Sequence, residues 1–348
     1  MTSITQARAT LEDVARLAGV SSKTVSRVYD GSATVSPATK DRVLSAAKRL
    51  RYRPNTLARN LRRGGVSSAV AFVIGDILNP FYFQVAAGIE RELAEHGLTL
   101  LLATTDDAPD SESVVIDALI SQRIRALLVI PIAEDQGYLE GERQLGMPVV
   151  AVDRPARNLL ADSAVLANRT GMAEAVRSLT ALGHRRIGFV SNPSQMYTLT
   201  ERLAGYREAL AEVGVTDTSR YERLGNDPAA GIESGVQSLL DMEEPPTAVV
   251  AGNNRATKAA LRVLRDRPER IALIGFDDFE LADMLGVSVV AHDAGELGRA
   301  AARLVIERLN DPTGFTRQVE IPTRLVQRGS GEIPPSGVPT TAKSRPES

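Results

Sequence analysis

TLEDVARLAGVSSKTVSRVY, residues 10–29, sets out two short helices joined by a turn. Leu11, Val14, Ala15 and Ala18 follow the i, i+3, i+4, i+7 spacing of a helix with one buried face. Thr10 followed by Asp13 has the layout of a capping box, with Asp where Glu or Gln is usual. Gly19 ends this helix and Val20 turns inward. Ser21 and Ser22 then stand at the start of a second helix, in which Val25 and Val28 face the core. Two short helices across a Gly turn make a helix-turn-helix, whose second helix is sized for a DNA major groove. Its outer face carries Ser22, Lys23, Ser26 and Arg27, hydroxyls and cations suited to base edges and phosphates. Two amphipathic helices with a Gly between them also occur in ordinary helical bundles, so the flanking sequence has to decide.

The next forty residues favour DNA. Ser36 and Pro37 supply a cap and a first-turn Pro for a third helix, with Val43, Ala47 and Leu50 on its core-facing stripe. The bundle ends near Tyr52. After Pro54 comes NTLARNLRRGG, a basic segment carrying Leu57 and Leu61 that is too short to be a stable helix alone. Such a segment fits one that folds on the minor groove and wedges a leucine between base steps.

Residues 10–63, with DVARLAGVSSKTVSRV, the RYRPN turn and the ARNL segment, resemble the headpiece and hinge of the lactose/galactose repressor (LacI/GalR) family. The resemblance implies that Ser22, Lys23 and Arg27 contact bases. It gives Ser21, Thr24 and Ser26 phosphate-contacting or helix-capping positions, and it places Asn55, Ala58 and Leu61 on a hinge helix with Leu61 as the wedge. Asp30 departs from the pattern, because the family commonly has Asn there and a carboxylate near phosphates is unfavourable. The expected organisation is a headpiece over residues 1–53, a hinge over 54–65, a core over 66–330 and a disordered tail over 331–348.

Charge is distributed to match. Residues 1–65 hold 13 Lys and Arg against 4 Asp and Glu, and the remainder holds 28 against 39, so a head of +9 sits on a body of −11. A basic head on an acidic body is the footprint of a protein that touches nucleic acid through one end. With no cysteine there are neither disulfides nor thiolate metal sites. The N-terminus lacks the apolar run of a signal peptide, and no stretch reaches the roughly 18 apolar residues of a membrane span. A soluble, cytoplasmic protein with no membrane partner is expected.

Beyond Gly64, Gly65, Ser67 and Ser68 the pattern changes to short β-branched runs alternating with amphipathic helices. Strands read at 70–74, 98–103, 126–130 and 149–152, then at 187–190, 248–251, 271–276 and 287–291. Helices read through Val85, Ile89 and Leu93, around 114–120 and near 173–182. Alternating β and α means doubly wound parallel sheets, and two sets imply two similar lobes. Open α/β sheets bind ligands beyond the carboxyl ends of their strands. Those positions read Asn79-Pro80-Phe81-Tyr82, Asp106-Asp107, Asp153-Arg154, Ser191-Asn192, Asn253-Asn254 and Asp277-Asp278. Carboxylate, amide and guanidinium groups chelate vicinal hydroxyls, and an aromatic ring covers a sugar's apolar face. Taken singly, each is also an ordinary turn sequence.

The family resemblance extends over residues 66–330, through GIERELAEHG, LGHRRIGFV, ERLAGYREAL, IGFDD and RLVQRGS. It implies an all-α helix-turn-helix headpiece followed by an α/β core of two doubly wound parallel-sheet lobes, periplasmic-binding-protein-like, with three crossovers. It also implies effector contact by Asp153, Arg202, Asn253, Asp277 and His292, with Phe81 and Tyr82 as the aromatic side of the pocket. Arg202 has an alternative as a helix-surface ion pair with Glu201 or Glu208. Asn254 and Ala167 stand where many members carry Asp, and Thr200 where Arg is frequent.

An enzyme is disfavoured. His96, His184 and His292 lack metal-ligand spacing, and there is no Walker loop, GxGxxG or GxSxG elbow. Asp277 and Asp278 as a glycosidase pair are unconvincing, because sequence neighbours usually point apart. His184 reads as a structural turn residue. A solute-binding protein would share the lobes but not the basic head. The expectation is a transcriptional regulator, with a repressor favoured, that binds a double-stranded palindromic operator as a homodimer, higher assembly left open. A small effector controls it from the interlobe cleft, a sugar first and a nucleobase or nucleoside second, with no cofactor and no metal.

Overall fold

The computed structural model of the chain describes residues 9–30, 34–53, 67–192, 196–225 and 230–335. It divides into two compact units, residues 1–67 and 68–348. In the first, α1 (Leu11–Ala18), α2 (Ser22–Tyr29) and α3 (Pro37–Arg49) close around Val14, Val25 and Val43, each without exposed surface. The caps follow the sequence. Thr10 and Asp13 form a full capping box, Gly19 ends α1 at φ 67°, and Ser36 with Pro37 opens α3. A left-handed residue at that turn is what Gly supplies without steric cost.

The second unit runs through β1 (Ala69–Ile74), α4 (Pro80–Glu95), β2 (Thr99–Thr104), α5 (Pro109–Ser121), β3 (Ala126–Val129), α6 (Glu140–Gln144), β4 (Val149–Asp153) and β5 (Asp162–Leu166). It continues with α7 (Asn168–Ala181), β6 (Ile187–Ser191), α8 (Tyr197–Ala211), β7 (Glu222–Leu224), α9 (Ala230–Leu240), β8 (Ala248–Ala251), α10 (Asn254–Arg265), β9 (Ala272–Phe276) and β10 (Ser288–His292). Last come α11 (Ala294–Asn310), β11 (Gln318–Ile321) and β12 (Thr323–Val326). Two six-stranded sheets result, ordered β11-β5-β4-β3-β1-β2 and β12-β10-β9-β8-β6-β7. The wiring is the same twice over, so each position in one sheet has an equivalent in the other. The chain passes between sheets three times, after β5, after β10 and between β11 and β12.

Helices cover both faces of each sheet. In the first lobe α4 and α11 bury one face around Phe72, Ile89 and Leu297, and α5 buries the other around Ile116 and Leu127. In the second, α7 and α8 pack on Phe189 and Tyr206, with α9 and α10 opposite on Val236 and Ala260. The α4–α11 contact is close enough that a Cβ on Gly88 would meet the Gly295 carbonyl oxygen at 2.1 Å, and glycine alone permits that approach.

Two expectations need correction. The second sheet is not wholly parallel, since β12 runs antiparallel to β10. It enters that sheet directly from β11, with no helix to reverse its direction. The tail also begins later than its Pro, Ser and Gly content suggests. Glu332 Oε2 accepts from the Gly329 amide at 2.6 Å and from Ser288 Oγ at 2.9 Å, and Ile333 packs against the second-lobe core. Hydrogen bonds and burial hold residues 331–335 in place despite their composition. Residues 336–348 lie outside the described residues, as do Asn55, Ala58 and Leu61 of the expected hinge. Among the described residues no helix is long and apolar enough to cross a membrane.

Candidate functional site

Ser22, Lys23 and Arg27 are exposed together on α2, opposite the buried Val25 and Val28. The hydroxyls beside them are engaged in holding the helix. Ser21 Oγ accepts from the Thr24 amide at 3.1 Å and lies 2.9 Å from Thr24 Oγ1, so Ser21 is the cap. Ser26 is half-buried and donates to Asp30 Oδ2 at 3.4 Å, which ties the unexpected carboxylate to the helix it terminates. The helix therefore presents two cations and one hydroxyl on a rigid, capped frame.

The second candidate is a cavity of about 430 Å³ between the sheets of the second unit. Phe81, Tyr82, Asp153, Arg202, Asn253 and Asp277 all line it, at the carboxyl ends of the strands or on the helices that follow. Asp153 closes β4 and Asp277 follows β9, equivalent places in the two sheets, and both hold left-handed backbone, at φ 69° and 68°. For an L residue that conformation costs about 1 kcal/mol or more, a strain that functional sites commonly retain.

Around Asp277 the polar groups are closely matched. Arg202 is 4% exposed. Its Nε donates to Asn168 Oδ1 at 2.7 Å, Nη1 to the Gly252 carbonyl at 2.7 Å, and Nη2 lies 3.5 Å from Asp277 Oδ1. The guanidinium stacks 3.6 Å above the Phe276 ring. His292 Nε2 reaches the same Asp277 oxygen at 3.0 Å. Burial would raise the Asp277 carboxyl, but the Arg202 charge and the His292 hydrogen bond outweigh it and hold the group below its ordinary range. Asp153 goes the other way: burial pushes its carboxyl up against the opposing charges of Arg154 and Arg202.

His292 does not line this cavity. It stands behind Asp277, edge-on to Phe81 at 5.4 Å, and borders a separate hollow with Lys258 and Arg328. That hollow shares Phe81, Asn254 and Asp277 with the cavity, so His292 stands one residue back from it, against Asp277. Asn253 is also partly spent, since Oδ1 caps α10 through the Ala256 amide at 2.8 Å and Nδ2 donates to Asn192 at 2.9 Å. Asp278 is not a partner carboxylate for Asp277, because it is ion-paired with Arg328 through two contacts of 2.7 Å. The alternative for Arg202 also fails, Glu208 being paired with Arg169 across α7 and α8 at 2.7 Å.

Several lining residues carried no signal of their own in the sequence. Gln136, Arg157, Tyr197 and Thr198 line the cavity from loops and helix starts. Behind them Glu112 is fully buried and accepts from the Ile132 amide at 2.5 Å, the Ala133 amide at 3.0 Å and Gln136 Nε2 at 3.1 Å. One carboxylate thereby fixes the loop that forms a wall of the cleft. The sequence hint was an acidic residue in the first turn of α5, which reads as a helix-dipole partner.

Comparison with known proteins follows the same division. Residues 10–55 match the bacterial regulatory proteins, lacI family, and residues 176–331 match the periplasmic binding protein-like domain. The HTH-type transcriptional repressor CytR of Escherichia coli (strain K12) is 30% identical over 329 residues, covering 92% of this chain and 96% of that protein. The ribose operon repressor of the same strain is 31% identical over 333 residues, covering 92% and 99%. Among solved structures, the transcriptional regulator CelR–cellobiose complex aligns with a TM-score of 0.69 at 32% identity, over 93% of this chain and 100% of that one. With such identity across nearly its whole length, and with the helix-turn-helix and the two equivalent sheets in place, the chain belongs to the lacI family of bacterial regulatory proteins.

Proposed function

We propose that the protein is a repressor that reads a roughly palindromic DNA operator as a homodimer and responds to a sugar held between its lobes. Residues 1–53 are the reading head, and residues 54–65, with Asn55, Ala58 and Leu61, join it to the core. One short recognition helix offers few base contacts, and pairing two heads on one site doubles them. The names of the relatives support repression, and a sugar is favoured by the ribose operon repressor and by the cellobiose bound to CelR.

The observation that carries this is the pairing of Asp153 and Asp277. Equivalent strand ends of two lobes bring a buried and a half-buried carboxyl group to one cavity, with Arg202 and the Phe81 and Tyr82 rings beside them. Oxygen acceptors with an aromatic wall suit a molecule of many hydroxyls.

The test has two arms. Operator sequences selected from random duplex are titrated with the full chain, and Lys23→Ala and Arg27→Ala each weaken binding by about 1–3 kcal/mol if they touch base edges. An unchanged operator preference with a lowered headpiece melting temperature would remove the base-contact role. Thermal shift with ribose, cellobiose and adenosine tests the ligand class. Stabilisation by adenosine alone replaces the sugar and leaves the regulator standing.

A further inference from the structure

We infer that the cleft takes a polyol bearing an acidic group, a carboxylate or a phosphate, gripped by the guanidinium of Arg154. This deepens the proposed function and rests on the cleft being the effector site.

Arg154 follows Asp153 at the end of β4, lines the cavity and is 7% exposed. Among the described residues its one ion pair is with its sequence neighbour Asp153, at 3.5 Å, well beyond a fork-shaped pair. Its Nε is buried without any hydrogen-bond partner. Arg202, in the lining of the same cavity, differs in having an acceptor near every nitrogen. A buried cation left this bare is unfavourable until something pairs with it.

The other acids of the cavity are committed or distant. Asp277 is shared by Arg202 and His292, Asp107 faces Arg255 at 4.0 Å, and Glu134 is exposed. Asp153, at 3.5 Å, is the one carboxylate within ion-pair reach of Arg154 among the described residues, and Asp107 acts on it only from farther off. A ligand hydroxyl against the part of Arg154 that lines the cavity would leave the charge unmatched. A carboxylate or phosphate oxygen there matches it, while Asp153 and Asp277 remain for hydroxyl groups. Arg157 stands in the lining of the same cavity.

The full chain is titrated by calorimetry with glucuronate, glucose 6-phosphate and glucose, and its thermal unfolding is followed in sodium phosphate and sodium acetate against sodium chloride at equal ionic strength. Wild type is expected to bind one of the two acidic sugars about tenfold or more tightly than glucose, and to be stabilised by its matching anion above chloride. The better of glucuronate and glucose 6-phosphate identifies the acidic group. Arg154→Met, a neutral side chain of similar reach, is expected to fold and to abolish the preference, with Arg154→Lys in between. Glucose binding as tightly as both acids, an intact preference in Arg154→Met, or no anion effect beyond chloride in wild type would each overturn the inference. Asp277→Asn separates the two levels. If it leaves acidic-sugar binding untouched, the ligand sits outside the cleft and the effector-site assignment fails. If it abolishes sugar binding while wild type shows no preference for either acidic sugar over glucose, the cleft stands and only the acidic class fails.

Discussion

Arg202 meets a different partner with each nitrogen and stacks its plane on Phe276, so its loss exposes more than one unmet group. Arg202→Ala would leave the half-buried Asp277 with one cation fewer, and Asn168 and the Gly252 carbonyl without a donor. Breaking a buried pair by removing one member costs about 3–5 kcal/mol. Urea denaturation of the isolated change should show a loss in that range, and Arg202→Lys should recover only part of it, because an ammonium lacks the planar fork. A loss below about 1 kcal/mol would mean the guanidinium is not integral to the lobe. The sequence carried the two aspartates clearly, since groups after strand ends face the cleft in any open α/β sheet. Arg202 was different. In the local pattern it was a charged residue on a helix beside Glu201, and only the family resemblance placed it inward. His292 borders the neighbouring hollow and bonds Asp277, a placement that a strand-end position in sequence does not specify. Arg154 gave no sign of its bare Nε, which depends on what folding brings near it.

At the scale of elements, the capped helices of the head were the most legible part, because caps are local chemistry: Thr10 with Asp13, Gly19, and Ser36 with Pro37. Four strands, β5, β7, β11 and β12, leave no clear pattern in the sequence. β7, β11 and β12 are three or four residues long and mix charged with apolar positions, as strands with one partly exposed face do. β5 begins with a buried Asp162, whose carboxylate is held by Arg308 at 2.8 Å, a partner 146 positions away. The C-terminal segment was misjudged for the same reason, since His184 supplies an anchor that composition cannot show. His184 Nε2 lies 2.8 Å from the Ile333 carbonyl and Nδ1 lies 2.7 Å from Thr247 Oγ1. A carbonyl only accepts, so Nε2 donates, while the Thr247 hydroxyl lies between Nδ1 and the Arg186 carbonyl, 3.3 Å away. Burial lowers the His184 pKa, against the smaller raising effect of the Ile333 bond. The folded chain thus binds fewer protons here than the unfolded one. Its stabilising effect is full above the unfolded value of about 6.5 and is lost as pH falls below it. Melting temperatures between pH 7.5 and 5.5 should fall more steeply for wild type than for His184→Gln. Equal slopes would show that the anchor does not titrate.

The whole core is one wiring diagram used twice, and the cleft exists because equivalent ends of the two sheets meet. That doubling was visible in the alternation of strands and helices, while the contacts that join the lobes across the opening were not. Arg255, at the start of α10 in the second lobe, pairs with Asp76 and approaches Asp107 in the first, and Asn254 Nδ2 lies 3.5 Å from Asn79 Oδ1. Arg255 is 40% exposed, so solvent screens it and its pairing is worth about 1 kcal/mol or less. Even so small a term biases any opening of the lobes, and a ligand held by both lobes shares that bias. Arg255 also lines the cavity, so Arg255→Ala should weaken effector binding by up to about fivefold through the lost cross-cleft pair and the altered lining together. If effector and operator act on one opening equilibrium, linkage makes a stricter demand. Whatever factor the effector changes in operator affinity, operator must change in effector affinity, in wild type and in Arg255→Ala alike. Anisotropy titrations of operator at zero and saturating effector, set against calorimetry of effector with and without operator, give both factors. Two equal factors that shift together in the variant support a shared equilibrium biased by the cross-cleft pair, whereas an effector affinity unmoved by Arg255→Ala would place the allosteric element elsewhere in the core.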